Sequence, residues 1–279
     1  METISTSESR WKPASDLLWD HWHQGRRLLE LPEHLRPSTR AEGYAIQAQL
    51  ERRSRHPLFG WKIAATSVAG QKHINVDGPL AGRLLAESVF EIGAELPFGA
   101  NHMRVAEAEF AFRMGRDLTP REGTYRVDEV LAAVATLHPA IEVPDSRYED
   151  FTIVGAPQLI ADNACAHLFV LGPAAPDFWR DIDLVEHSVS GTVRTVGART
   201  PSTGRLDTQT CAGTGANVLG DPRVALTWLV NELSRLGITL REGQVVTTGT
   251  CVVPLSIEPG VEMVADFGAL GTVSAVIAD

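Results

Sequence analysis

The sequence predicts an α+β protein: a helical stretch at the start, then a β-rich body. Three observations carry that expectation. Residues up to about Arg55 show helical periodicity, the chain from Phe59 onward reads as a series of short strands, and helices do not alternate regularly with those strands. The last point argues against a doubly wound parallel sheet. A hydrophobic share of 44% with 22% charged residues is ordinary globular composition and argues against disorder. At 279 residues the chain buries a sizeable core without disulfide staples.

Residues 1–14 are polar and predict a flexible N-terminus, followed by one domain over 15–279. Within that domain, 15–58 form the helical part and 59–279 the β-rich body. From Ser15, DLLWDHWHQGRRLLEL brings Leu17, Leu18, Trp22, Leu28 and Leu29 near one helical face, until Pro32 and Pro37 interrupt it. Thr39 with Glu42 three residues on reads as a capping box that opens a second helix. GWKIAAT predicts a short strand, Gly70 to Gly82 mostly a loop, and LLAESVFEIGAEL one or two short strands. Strict alternation from Arg104 to Met114 is the period of a strand. DEVLAAVATLHP predicts a short helix ending at Pro139, after which AIEVPD resumes strand. The segment 150–170 is mixed, with a turn at Gly155. LVEHSVSGTVRTVG predicts a hairpin that turns at Ser190-Gly191. Asp221-Pro222 caps a helix that ends at Gly237. Strand-like QVVTTGTCVVPLSI, VEMVADF and GTVSAVIA follow, with a Pro259-Gly260 turn.

The net charge of −10 argues against nucleic-acid and anionic-membrane partners, both of which need a basic face. Cys165, Cys211 and Cys251 form no CxxC pair, which fits buried thiols in a reducing cytoplasm and gives no zinc signature. The first residues lack the apolar core of a signal peptide, and no apolar run is long enough to span a bilayer. The expectation is a cytoplasmic protein with a small-molecule ligand.

Chemistry concentrates at four places. Glu107 and Glu109 share one face of the alternating strand, flanked by Val105 and Ala111 rather than by solvated residues. Two adjacent carboxylates in that setting repel each other and lose hydration, and a divalent cation relieves both costs; hard oxygen ligands suit Mg²⁺ or Mn²⁺. An ExE pair on a solvated strand face is the plainer alternative. Glu142, alone between Ile141 and Val143, supplies a third carboxylate or an ordinary outward strand position. Asp145 and Arg147 beyond it either orient such ligands or form a surface ion pair. Lys62, between Trp61 and Ile63, either binds an anionic substrate group or snorkels at a strand edge. Thr248, Gly249 and Thr250 at a strand end either cradle a substrate carboxylate or form a bulge.

Taken in order, GWKIAAT, VAEAEFAFRMGRDL, HPAIEVPDSR, ADNACAHLFVLG, GTGANVLGDPRVALTWLVNELSRLGITLREGQVVTTGT and GVEMVADFGALGTV resemble the 2-keto-4-pentenoate hydratase and 4-oxalocrotonate decarboxylase branch of the fumarylacetoacetate hydrolase superfamily. The resemblance runs from about residue 15 to the C-terminus. It implies a mixed β-sandwich roll with a helical N-terminal part and a homo-oligomer. It implies a Mg²⁺ or Mn²⁺ site with Glu107, Glu109 and Glu142 at the ligand positions, Lys62 at the active-site lysine position, and a 2-oxo acid that chelates the cation. The chain departs from the family pattern twice. Leu80, in Pro79-Leu80-Ala81-Gly82, stands where hydratases carry an aspartate, and Asn163-Ala164-Cys165-Ala166-His167 replaces a segment with an active-site serine. Asn163, Cys165 and His167 are therefore expected at the substrate together with Thr248, Gly249 and Thr250. The implied chemistry is hydration of a 2-hydroxy-2,4-dienoate through a stabilised enolate in aromatic-compound breakdown. The alternatives are C–C hydrolysis of an acylpyruvate such as maleylpyruvate or fumarylpyruvate, decarboxylation of a 4-oxalocrotonate, and a non-catalytic partner subunit.

Overall fold

The computed structural model describes residues 4–196 and 208–278, with side-chain environments from Arg10 onward. Six helices fall within it: α1 (Ile4–Gln24), α2 (Arg40–Gln47), α3 (Val68–His73), α4 (Val127–Leu131), α5 (Gly155–Ala161) and α6 (Pro222–Arg235). The strands are β1 (Gly60–Ala64), β2 (Leu80–Leu84), β3 (Val89–Phe90), β4 (Glu95–Pro97), β5 (Val105–Met114), β6 (Val134–Val143), β7 (Leu168–Leu171), β8 (Ser188–Thr195), β9 (Thr208–Thr214), β10 (Val245–Thr250), β11 (Leu255–Ser256), β12 (Val261–Asp266) and β13 (Thr272–Ala278). An eight-stranded sheet runs β2-β1-β10-β5-β6-β7-β3, with β11 pairing onto β5; a five-stranded sheet runs β4-β13-β12-β8-β9. The two sheets enclose one main core, where Phe110 of the first meets Phe267, just after β12, edge to face at 4.9 Å. This is the expected α+β roll, with mixed parallel and antiparallel pairing.

The hydrophobic pattern explains why β5 and β6 lie at the centre of the larger sheet. On β5, Ala106, Ala108, Phe110, Phe112 and Met114 all point into the main core. The opposite face of the strand is dry too. Ala111 packs there with Leu84, Ala140, Phe169 and Val245 in a second apolar cluster. A strand covered on both faces reads as nearly continuous apolar sequence, and the two glutamates of β5 interrupt it.

Three expectations need correction. The first fourteen residues are not uniformly loose: α1 starts at Ile4, and Trp11 and Ala14 are buried with Leu18, Leu31, Ile46 and Tyr148. Polar composition there hid an amphipathic face. The helix expected to run to Pro139 stops at Leu131, and residues 134–143 form one strand. Pro139 is tolerated because it lies past the last β6–β7 pair, Ala140 with Leu171: its carbonyl still accepts from the Gly172 N–H, and the Gly172 carbonyl, which its missing N–H would face, is met instead by His138 Nδ1 at 2.9 Å. Ser190-Gly191 is not a turn but mid-strand β8, pairing with both β12 and β9. A Cβ on Gly191 would lie 2.5 Å from Leu255 Cδ1, so glycine here permits close packing. The anticipated caps hold: Thr39 Oγ1 accepts from Glu42 N, Asp221 accepts from Arg223 N, and Gly237 ends α6 with φ 74°.

The strand that carries Lys62 depends on a similar close approach. A Cβ on Gly60 would lie 1.9 Å from the Val245 carbonyl oxygen, within the parallel β1–β10 pair. Gly60→Ala is therefore expected to cost about 1–3 kcal/mol in urea unfolding, the usual cost of overpacking. An unchanged midpoint would contradict this packing.

Candidate metal centre

Glu107 and Glu142 are direct cross-strand partners on β5 and β6, and Glu109 lies two residues along on the same face of β5. Like charges directly opposite destabilise a sheet, and here the acids are also taken out of water. One oxygen from each of the three lies within 4.8 Å of the other two. Glu109 and Glu142 are fully buried. Burial, reinforced by Glu107, pushes the Glu109 carboxyl up to about 7. Burial also takes Glu142 up to about 8 against the pull of Lys62. Burial and the facing Glu142 raise Glu107, which keeps access to the cavity.

Few groups of the protein satisfy these acids. Glu109 Oε2 accepts from the Thr247 hydroxyl and from Gly249 N at 2.8 Å. Its Oε1 has no partner. Lys62 Nζ lies 3.0 Å from Glu142 Oε1, yet neither Glu142 oxygen receives an aligned hydrogen bond. Unpaired buried carboxylate oxygens are costly, and a set of convergent ones is the donor chemistry that Mg²⁺ and Mn²⁺ prefer. The three residues therefore fit a hard divalent cation. Lys62 itself is buried, and although burial lowers its affinity for a proton, Glu142, Glu107 and Glu109 outweigh that and hold it cationic.

The other expected residues divide into those at the cavity and those behind it. A cavity of about 1100 Å³ is lined by Lys62, Glu107, Leu80, Cys165, Gly249 and Thr250, among others. Gly249, with φ 101°, sits in a bulge where the β5–β10 register shifts between Thr247 and Thr250. A Cβ there would meet Thr66 Oγ1 at 2.0 Å. Thr250 donates its hydroxyl to Val252 O, and Cys165 is pushed up to about 12 by burial and by Asp162, which leaves an unreactive thiol.

Thr248, Asn163 and His167 are corrections. The Thr248 hydroxyl is buried and donates to Phe110 O, because strand alternation puts it on the face opposite Thr247, which reaches Glu109. The Asn163 carboxamide bridges Arg83 N and Arg83 O at 2.7 and 2.8 Å, tying its loop to β2. His167 stacks edge-on against Trp22 at 5.8 Å, away from the cavity lining, and burial drops it to about 4. Asp145 and Arg147 make no bond that orients the three glutamates directly, and they do not form a surface pair. Asp145 accepts from Arg27 and from His102 N, while the buried Arg147 guanidinium grips the Asp162 carboxylate, the Asp162 carbonyl and the Asp145 carbonyl.

Sequence reasoning missed what this clamp supports. Asn163, Ala164 and Cys165 are all left-handed, with φ of 55°, 50° and 61°. Three consecutive non-glycine residues in that region are strained. The turn aims the Ala164 carbonyl at Lys62 Nζ, 3.1 Å away. Gly82 makes room for it: a Cβ there would lie 2.4 Å from Asn163 O and 3.0 Å from Lys62 Cγ. Asp162, an acid directly after the apolar run Leu159-Ile160-Ala161, was the available signal; a carbonyl contact leaves none.

The electrostatics make a metal-free protein sensitive to pH. The unfolded carboxyls titrate near 4.5, whereas the folded ones hold protons to about 7 and 8. The folded state thus binds more protons, so its stability falls as pH rises through that interval. His167 acts in the opposite sense below its ordinary 6.5 but adds no slope above it. With EDTA, the urea midpoint is expected to fall between pH 6.5 and 8. The fall is expected to flatten in Glu107→Gln/Glu142→Gln and in saturating Mg²⁺. A flat wild-type profile with EDTA would contradict these pKa shifts.

Comparison with known protein families finds no matching family model. Individual relatives do match. The chain is 34% identical over 239 residues to a 2-keto-4-pentenoate hydratase of Burkholderia vietnamiensis, covering 85% of each chain. It is 30% identical over 241 residues to a 4-oxalocrotonate decarboxylase of a Pseudomonas species, covering 86% of each. Among solved structures, the 4-oxalocrotonate decarboxylase of Pseudomonas putida G7, complexed with magnesium and adipate, superposes over 99% of both chains with a TM-score of 0.81 at 22% identity. Fold and sequence agree: the chain is an enzyme of the 2-keto-4-pentenoate hydratase and 4-oxalocrotonate decarboxylase branch of the fumarylacetoacetate hydrolase superfamily.

Proposed function

We propose that this protein is a Mg²⁺- or Mn²⁺-dependent hydratase of a 2-hydroxy-2,4-dienoate, or of its 2-oxo tautomer, in the breakdown of aromatic compounds. The observation that carries this reading is the convergence of oxygens from Glu107, Glu109 and Glu142, with both Glu142 oxygens and one of Glu109 lacking a hydrogen-bond partner, and Lys62 beside them at the wall of one large cavity. The names of the relatives and the magnesium complex of the structural neighbour support the same choice.

When bound, a divalent cation supplies Lewis acidity to a 2-oxo acid and a counter-charge for the enolate that forms from it. The residues of the chain do the rest. Glu107, Glu109 and Glu142 would hold the cation, with Glu107 at the cavity wall. Thr247 and the Gly249 N–H fix the Glu109 carboxylate so that its other oxygen points inward. Lys62 has three donors; Glu142 and the Ala164 carbonyl orient its ammonium, and the remaining N–H direction serves the substrate. Held cationic, it stabilises negative charge on the substrate and holds a proton at Nζ next to the carbon framework. Buried Leu80 lines the cavity where the family pattern has an aspartate, so this chain brings no carboxylate there.

With Mg²⁺, 2-hydroxypenta-2,4-dienoate is expected to give one product heavier by one water. Pyruvate together with a second acid from maleylpyruvate would favour C–C hydrolysis, and CO₂ from 4-oxalocrotonate would favour decarboxylation. Lys62→Met is expected to lower kcat by about 10²–10⁴, while Mg²⁺ still raises the Tm. Wild-type turnover in that variant would remove Lys62 from the mechanism.

A further inference from the structure

We infer that the cavity takes substrates whose end remote from the 2-oxo acid group is an uncharged apolar chain, and that it disfavours a second carboxylate. This rests on the proposed 2-oxo acid site and specifies its substrate class. The charged groups are confined to one part of the wall. Among the described residues that line the cavity, Lys62 and Glu107 carry the formal charges, no arginine contributes, and Lys62 is committed to Glu142 and the Ala164 carbonyl. Away from them the wall is built by Val68, Ile74, Met103, Phe151, Leu159 and Val253.

Three polar side chains in that wall are bonded to backbone groups. Gln71 Nε2 donates to Ala65 O at 3.1 Å, Asn217 Nδ2 to Cys251 O at 2.7 Å, and Ser67 Oγ accepts from Gly70 N. His73 stands edge-on to Phe151 at 6.0 Å. Size points the same way. About 1100 Å³ is the space of a drug-sized ligand, far more than pentadienoate fills. The apolar surface also continues outward, since Val68 and Val253 are 68% and 70% exposed while still lining the cavity. Exposed valines around an open cavity suit a tail that brings its own apolar surface and buries theirs. A distal carboxylate would lose its hydration with no free lysine or arginine in the wall to receive it, and the His73 ring there is stacked against Phe151.

Binding of unreactive 2-oxo acids separates this inference from the chemistry of turnover. Calorimetry in Mg²⁺ with 2-oxobutanoate, 2-oxohexanoate and 2-oxooctanoate is expected to show tightening by about threefold to fourfold per added CH₂. At matched length, 2-oxoadipate is expected to bind about tenfold more weakly than 2-oxohexanoate. Val253→Arg, a change at an exposed position, is expected to close most of that gap by giving the second carboxylate a partner. Affinity independent of tail length, or 2-oxoadipate binding more tightly than 2-oxohexanoate in the wild type, overturns this inference and leaves the proposed function standing. Absence of binding by every acid with Mg²⁺ present overturns both.

Discussion

The repulsion between Glu107 and Glu142 across the β5–β6 pair is the constraint on which the rest of the site depends. A sheet that needs both strands buried on both faces places these acids opposite one another, with Glu109 beside them. Left to themselves the three can stay in the interior only by holding protons, and burial shifts them in that direction. One lysine offsets part of the charge. A divalent cation would complete the balance, because three carboxylates, one ammonium and two positive charges sum to neutrality. The cost of the arrangement without a cation is what a bound cation would relieve.

Much of the surrounding structure serves to hold the positive partner in place. Lys62 comes from β1, which reaches the acids only because Gly60 lets it lie close against β10. Its ammonium is aimed by the Ala164 carbonyl, presented by a strained left-handed turn. Strain of that kind persists only when its surroundings over-determine it. Here Arg147 holds the start of the loop through Asp162, its far end through the Ala166 carbonyl at 3.5 Å and the end of β6 through the Asp145 carbonyl, Asn163 ties it to β2, and Gly82 leaves it room. Arg147 thus acts on the site through backbone geometry, at a distance from the acids. The bulge at Thr248-Gly249 plays the matching part for Glu109, turning a backbone N–H onto its carboxylate.

What was legible in the sequence follows from which interactions leave a periodic trace. The alternation of β5 placed Glu107 and Glu109 on one face, and the isolated acid in AIEVPD marked Glu142. The caps of α2 and α6 were equally clear, since capping residues act locally. Elements decided by tertiary contact were not legible. Pro139 reads as a helix stop, yet it sits in a strand whose neighbour has just ended. Gly191 reads as a turn, yet it is a packing glycine between sheets. Thr248, Asn163 and His167 belong to segments that resemble the family, but strand alternation and turn geometry send their side chains away from the cavity. Resemblance located the segments; backbone conformation decided which atoms face the substrate.

The most direct test of the central claim is calorimetric titration of the EDTA-stripped protein with Mn²⁺ at pH 6.5, in two buffers of different ionisation enthalpy. The account predicts one site per chain and a heat that depends on the buffer, because cation binding expels protons from the buried carboxyls. It predicts that Glu109→Gln/Glu142→Gln abolishes the site. Mn²⁺ binding that is unchanged in that variant, or no binding by the wild type, would contradict the assignment of the three glutamates as the metal centre.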